Sequence, residues 1–313
     1  LSLHADTLRR VQERYGVARD EADPGRATAM RALGQCPQDP RVTSFLLRGL
    51  RDQAPWVRYY AYQSLGKLGL EEAAPVIAPL VRDPAGQVRV AAVEALSHLQ
   101  GQVAADALRD AAASDEPDLQ RAALIGLGLQ RRPDSLPLLL TAASSSEAAT
   151  RLVALSALAG FESQQVLAAL GRALSDPNEG VRTSAIGFLA VAPGLEATRT
   201  LVDFLHDEHL RGPILDALAT PHEDRVPGVL TMLGEASEEQ APWLASILAR
   251  LREAGGQAGL HQALRSPNPA ARKAAAAALA EIGTDDARGA LEAVAAHDVD
   301  PEVRRVCALL LAR

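Results

Sequence analysis

An arginine returns about every 31 residues along this chain, each time in the same apolar setting. Taken as an anchor, it gives Arg26, Arg58, Arg89, Gln120, Arg151, Arg182, Arg211, Ala241, Arg272 and Arg304. The spacings are 32, 31, 31, 31, 31, 29, 30, 31 and 32 residues. Residues 55–69 (PWVRYYAYQSLGKLG) align with 86–100 (GQVRVAAVEALSHLQ), 179–193 (EGVRTSAIGFLAVAP), 269–283 (PAARKAAAAALAEIG) and 301–313 (PEVRRVCALLLAR). Length alone would suggest about two domains of ~150 residues. A period this regular overrules that prior, because it marks an array of small identical units.

Each unit reads as two helices. In the anchor helix, here called B, apolar or small residues stand at anchor −1, +3, +6, +7 and +10, a single stripe at helical spacing. For the second unit these are Val57, Ala61, Ser64, Leu65 and Leu68. The preceding segment supplies helix A, expected over 43–51, 73–82, 136–143, 166–174, 197–205 and 287–296. Turns such as Asp83-Pro84-Ala85-Gly86 and Asp176-Pro177-Asn178-Glu179 separate A from B. Proline sets the turn and ends helix A, and Asp accepts from N–H groups at the start of B. A pair of 31 residues is too small to bury its own apolar face, so pairs must stack side by side. The expected fold is all-α: one right-handed α-solenoid of about ten helix pairs over 1–313, with irregular units around 195–256. There Pro213 and Pro242 fall early in the B helices. Frequent Ala at +3 and +6 lets neighbouring helices approach closely.

The pattern Asp-x-x-x-x-Val-Arg recurs in Asp52/Val57/Arg58, Asp83/Val88/Arg89, Asp176/Val181/Arg182 and Asp298/Val303/Arg304. It resembles the HEAT-like repeat family, in the short bacterial form also seen in phycobilisome-lyase-type repeats. The resemblance covers nearly the whole chain and implies an α-solenoid with the B helices on its concave face. It is specific for fold and poorly specific for function. Modules of this kind serve as scaffolds or adaptors in bacterial signalling or assembly complexes.

Composition agrees with helix: 48% of the 313 residues are hydrophobic, but only 3% are aromatic. The formal charge is −7. A surface built for a nucleic-acid backbone carries a basic excess, so the charge argues against that partner. Residues 196–240 hold ten acids against three arginines, whereas residues 1–60 hold ten arginines against seven acids. Such asymmetry can orient a protein partner and speed encounter. Cys36 and Cys307 lie nine repeats apart, beyond disulfide reach. Unpaired thiols fit a reducing compartment, so the expected location is cytoplasmic. The chain has no 18-residue apolar run, so membrane insertion is not expected. Residues 1–20 show no signal-peptide core, and the missing initiator Met allows that a leader was removed.

The second B helix is the candidate partner-binding site. Trp56, Tyr59, Tyr60 and Tyr62 cluster within seven residues, with Gln63, Lys67 and Arg31 alongside. A helical wheel centred on Val57, Ala61 and Leu65 puts these rings on the flanks and the concave side. Aromatic clustering beside arginine is the composition of a binding hot spot. The other reading is that the rings fill the groove between adjacent B helices. If they form a surface site, replacing Tyr59 and Tyr62 by Ala leaves the thermal midpoint little changed. The anchors Arg58, Arg89, Arg182, Arg272 and Arg304 form a structural ladder, each paired with the turn Asp six residues earlier or with that of the next repeat. The alternative for them is an anion-binding stripe.

The run Arg58–Ala61 with Leu65–Lys67 is similar to a stretch in bilin lyase subunits, which handle open-chain tetrapyrroles. HEAT-repeat hydroxylases bind iron through several His-Glu pairs, and His222-Glu223 is the only such pair here. His206 and His209 share a helical face at the end of a helix, where polar residues are ordinary. No Walker loop, dinucleotide fingerprint, Cys-x-x-Cys or nucleophile elbow is present. The sequence therefore points to a non-enzymatic protein-binding scaffold with no metal or cofactor. The alternatives are a bilin lyase or chaperone, and a HEAT-like DNA-binding repair protein.

Overall fold

The structure, a computed structural model, describes residues 24–36, 39–251 and 255–312. Part of the arginine-rich segment 1–60, residues 1–23, lies outside them, as does 252–254 of the irregular stretch. The chain divides into two compact units, Leu1–Ala169 and Leu170–Arg313. The architecture is an all-α solenoid of stacked helical hairpins with about ten repeats.

In the first unit a B helix, α1 (Pro24–Leu33), is followed by A/B pairs. These are α2 (Pro40–Gly49) with α3 (Pro55–Leu68), then a broken A stretch with α5 (Gly86–Ser97), then α6 (Gln102–Ala112) with α7 (Pro117–Gln130). The broken stretch runs as a 3-10 turn (Glu71–Ala73), α4 (Ala74–Ile77) and a second 3-10 turn (Ala78–Arg82). Pro75 and Pro79 each remove a backbone donor there, so one continuous helix over 73–82 does not form. A 3-10 turn (Pro133–Ser135) and α8 (Leu136–Ala142) precede α9 (Ala148–Leu158), and α10 (Gln164–Ala173) contains the division between units. The second unit holds B helix α11 (Glu179–Val191), then α12 (Leu195–Asp203) with α13 (Glu208–Leu218) and α14 (Arg225–Glu235) with α15 (Ala241–Arg250). It ends with α16 (Gly256–Ala263) and α17 (Pro269–Ile282), then α18 (Asp285–His297) and α19 (Pro301–Leu311).

Local chemistry sets the starts of the B helices. Proline opens α3, α7, α17 and α19, where a missing N–H costs nothing. Asn268 and Asp300 cap α17 and α19 with their side chains. Pro213 lies inside α13, which continues through it, and Pro242 is in the first turn of α15. The core stripe is buried as expected: Val57, Ala61, Ser64 and Leu65 all lie inside, with Leu68 half-buried.

B helices stack directly on B helices within each unit. In the first unit a small residue at anchor +8 meets a small residue at +6 of the next repeat. A Cβ added to Gly34 would sit 2.3 Å from the Ser64 hydroxyl oxygen. One on Gly66 would sit 2.7 Å from the Ala95 Cα, and one on Gly128 2.7 Å from the Ala157 Cα. At the remaining junction the order reverses, with Gly126 at +6 against Ser97 at +8. The Ala pattern anticipated close approach, but it missed that glycine at +8 sets the distance.

This packing gives a paired test by chemical denaturation. Gly66→Leu should lower unfolding free energy by about 1–3 kcal/mol, the cost of overpacking a tight contact. Gly187 lies within α11 with nothing near its added Cβ, so Gly187→Ala should raise stability by roughly 0.5–1 kcal/mol. Equal effects would show that helix propensity, not closeness, governs both positions.

Candidate functional site

The ladder arginines come first, because they hold the B helices that carry everything else. Arg58 Nε and Nη2 each donate to an Asp83 carboxylate oxygen at 2.9 Å, a two-pronged bond to the next repeat's turn. Its Nη1 donates to the carbonyls of Asp52 and Gln53, six and five residues earlier. Asp83 in turn accepts from the Ala85 N–H at 2.8 Å. Arg272 repeats this arrangement with Asp298 at 2.8 and 2.9 Å and with the Ser266 and Pro267 carbonyls. These bonds hold the Asp298 carboxyl below the usual carboxylate range. Arg89 reaches Glu116, Arg182 the carbonyls of Asp176 and Pro177, and Arg304 the carbonyl of Asp298. The bond six residues back therefore goes to a backbone carbonyl, not to the Asp side chain. For Arg58, Arg89 and Arg272 the carboxylate partner comes from the repeat ahead.

Two units use substitutes. In the fourth, where Gln120 occupies the anchor, Arg121 one residue on bridges Asp118 and Glu147. In the irregular region Arg211 lies 4.5 Å over the Trp243 ring, a cation–π contact to the next B helix in place of an ion pair. The aromatic count drew attention to α3 and left Trp243 unexamined. Its position two residues after the Ala241 anchor was the available signal.

On α3 the rings of Trp56, Tyr59 and Tyr60 touch one another. Trp56 and Tyr59 are 5.3 Å apart and nearly edge-on, Tyr59 and Tyr60 are 5.1 Å apart at 86°, and Trp56 and Tyr60 are 6.2 Å apart at 34°. Trp56, Tyr60 and Gln63 are half-buried, whereas Lys67 and Arg31 are exposed. Tyr59 and Tyr62 are not surface rings: they are 3% and 0% exposed. The expectation that both lie on an open face is corrected for a physical reason. A B helix packs on neighbours to either side as well as on its A helix. Anchor +4, occupied by Tyr62, is buried in the following repeats as Val93, Leu124 and Leu155. Among the described residues the Tyr62 hydroxyl finds no hydrogen-bond partner, and burial together with the Asp83 charge pushes its pKa up.

Beside this helix Glu94, at anchor +5 of α5, is buried. Burial pushes its carboxyl up to about 8, against the opposing pull of Lys67. The histidine cluster is locally satisfied: His206 Nδ1 lies 2.6 Å from the Asp203 carbonyl, and Asp207 caps the His209 N–H. Among the described residues no group of three or more His, Cys, Asp or Glu side chains could hold a metal. Nor is any described helix long and apolar enough to cross a membrane. Cys36 is exposed and free, and Cys307 is buried with its thiol pushed up to about 11 by desolvation.

Two measurements follow from these burials. Tyr62→Phe removes an unpaired buried hydroxyl and should stabilise by about 1 kcal/mol, whereas Tyr62→Ala should cost about 3–5 kcal/mol. Calorimetry reads both, and a neutral Tyr62→Ala would return the ring to the surface. Glu94 has a folded-state pKa above its unfolded one. Its contribution is fully present below the unfolded value near 4.5 and is lost as pH rises through about 8. Glu94→Gln should therefore be the more stable protein at pH 9 and flatten the pH profile. A profile identical to wild type would show that Glu94 is solvated.

HEAT-repeat sequence patterns match residues 15–97, 71–128, 105–190, 136–219 and 226–312. Among curated proteins none matches the chain. Among solved structures it is similar to an engineered protein, at 17% identity over 98% of both chains with a TM-score of 0.41. It is similar to the CpcE–CpcF complex of phycocyanin lyase from Nostoc sp. PCC7120, at 20% identity over 75% of this chain and 91% of that one, TM-score 0.42. Human deoxyhypusine hydroxylase in complex with glycerol is similar at 21% identity over 92% and 98%, TM-score 0.36. With the repeat pattern matched over most of its length, the chain belongs to the HEAT-repeat family.

Proposed function

We propose that this protein is a non-enzymatic scaffold or adaptor whose concave B-helix face holds a partner protein. The observation that carries the reading is the Trp56–Tyr60 pair, with rings 6.2 Å apart and both half-buried. They stand on a helix fixed by the Arg58 bridge, which also carries the exposed Lys67, and Arg31 is exposed on α1. Rigid aromatic side chains with part of their surface in solvent lose little entropy when a partner covers them, which is why such residues anchor interfaces. The buried Tyr59 ring touches both Trp56 and Tyr60. Gln63, half-buried on the same helix, supplies a polar group at the rim. The family's use in bacterial signalling and assembly complexes, and the two free cysteines, support a cytoplasmic complex as the setting.

Affinity capture from the native host, read by mass spectrometry, tests this. Partners held by the wild type should fall at least about tenfold with Trp56→Ala/Tyr60→Ala, each such loss being about 1.4 kcal/mol or more. The thermal midpoint should hold, because neither ring is fully buried. Retention of the same partners by the double variant would remove the site. The scaffold reading also expects no absorbance shift on adding bilin and no salt-dependent DNA affinity. A bilin shift would favour a tetrapyrrole-handling protein, and DNA binding a repair protein.

A further inference from the structure

Glu94 is an acid buried on the B face with no group to hold it. It stands at anchor +5 of α5 and is only 8% exposed. Its equivalents Gln63, Ile125 and Ser156 are half-buried, so this column looks out through the B face, and packing alone does not call for a carboxylate there. Among the described residues its Oε1 has no hydrogen-bond partner. Ser97, three residues on, donates to the Glu94 main-chain carbonyl, not to the carboxyl. On α7, Gly126 packs against Ser97, and neither it nor Ala122 one turn before carries a side-chain donor. Lys67 of α3 is near enough for its charge to pull on the carboxyl, yet it is exposed and forms no hydrogen bond with it. His98, one turn beyond Glu94 on α5, is exposed as well. A polar group taken out of water without a partner destabilises the fold, and an opposite charge brought to it recovers that cost.

The register between the helices sets this carboxyl near the aromatic patch. A Cβ on Gly66 would lie 2.7 Å from the Ala95 Cα, so those two residues are level. Tyr60 stands six residues before Gly66 and Glu94 one before Ala95, an offset of five residues. At ~1.5 Å per residue along the axis and ~8–10 Å between helices, Glu94 lies about 12 Å from Tyr60 across the B face. About three or four residues of extended chain span that distance. We propose that a partner segment covering Trp56 and Tyr60 sets a lysine or arginine, about three or four residues along, on the Glu94 carboxylate. Either side chain is long enough to keep its backbone at the surface while the cation reaches inward, where a charge-assisted bond is strong. Glu94 acts in this way only if the B face is the binding surface, and it then sets the partner's chemistry: a basic side chain at a fixed spacing from an apolar contact.

Random 12-residue peptides displayed on phage and selected against the full chain test this. The enriched peptides should carry an excess of Lys and Arg, set about three or four residues from an apolar one. For the best of them, synthesised with a blocked N-terminus, Glu94→Gln should weaken binding at least about tenfold, and so should replacing its basic residue by norleucine. The two losses should not add, since each removes the same contact. Binding at neutral pH should also release about one proton, read by calorimetry in buffers of different ionisation enthalpy. The cation would ionise a carboxyl that burial otherwise holds protonated. Glu94→Gln, which keeps Lys67 and His98, should abolish that release. Far-ultraviolet circular dichroism checks that each variant keeps its helices. Failure to enrich peptides, enrichment without a basic excess, additive losses, or a proton release that survives Glu94→Gln would each overturn the proposal. Weakening by Trp56→Ala/Tyr60→Ala together with additive Glu94 losses would leave the B face as the binding surface and remove the Glu94 contact. Coincident Glu94 losses with no effect of Trp56→Ala/Tyr60→Ala would uphold the Glu94 contact and remove the aromatic anchor.

Discussion

A single guanidinium that closes two turns at once is the interaction on which the rest of this structure depends. Arg58 fastens the turn before its own helix through the Asp52 and Gln53 carbonyls and the following turn through Asp83. Asp83 is 5% exposed, so its charge is left in the interior unless the arginine stays. A buried ion pair of this kind adds little net stability against an apolar replacement, but losing one partner is costly. Its value here is positional. The fork accepts only one placement of the neighbouring turn, and that fixes the register between successive hairpins.

Fixing the turn also permits the close packing of the B helices. Glycine or alanine at +8 and +6 brings backbones nearly into contact, a geometry that tolerates no sliding. On α3 the two devices occupy opposite ends of the helix. The Arg58 bridge holds its start, and the contact of Gly66 with Ala95 holds its second half. Residues between them on the B face, such as Tyr60 and Gln63, are presented by a helix held at both ends. A preorganised surface loses less on binding than one that must first be ordered.

The fold was legible because two signals recur along the chain: the anchor arginine, present in eight of ten units, and the apolar stripe at helical spacing. Repetition turned a weak local preference into a strong one. The site was less legible, and Tyr62 shows why. A helical wheel assumes one buried face, but a helix inside a stack is covered on three. The correction was available in the column itself, since the residues equivalent to Tyr62 are Val93, Leu124, Leu155 and Ile186. Comparing one position across repeats reports burial better than comparing positions along one helix. The arginine's backbone partners were less accessible, because no pattern of side chains encodes an acceptor on the main chain. No pattern in the sequence marks Glu94 as buried, because its burial depends on how closely α3 and α5 approach.

In a repeat array, the informative residues for function are those that break the rule which the other repeats keep. Any column filled alike in every unit is explained by the contact that every unit makes. Trp56 and Tyr60 break theirs: the residues equivalent to Trp56 in the next four units are Gln87, Asp118, Ala149 and Gly180, and those equivalent to Tyr60 are Ala91, Ala122, Val153 and Ser184. Arg211 breaks the ladder too, but Trp243 supplies a replacement within the chain, so that departure is closed. A departure that the chain closes with a contact of its own is explained by packing, and only one left partly open to solvent, as at Trp56 and Tyr60, bears on recognition.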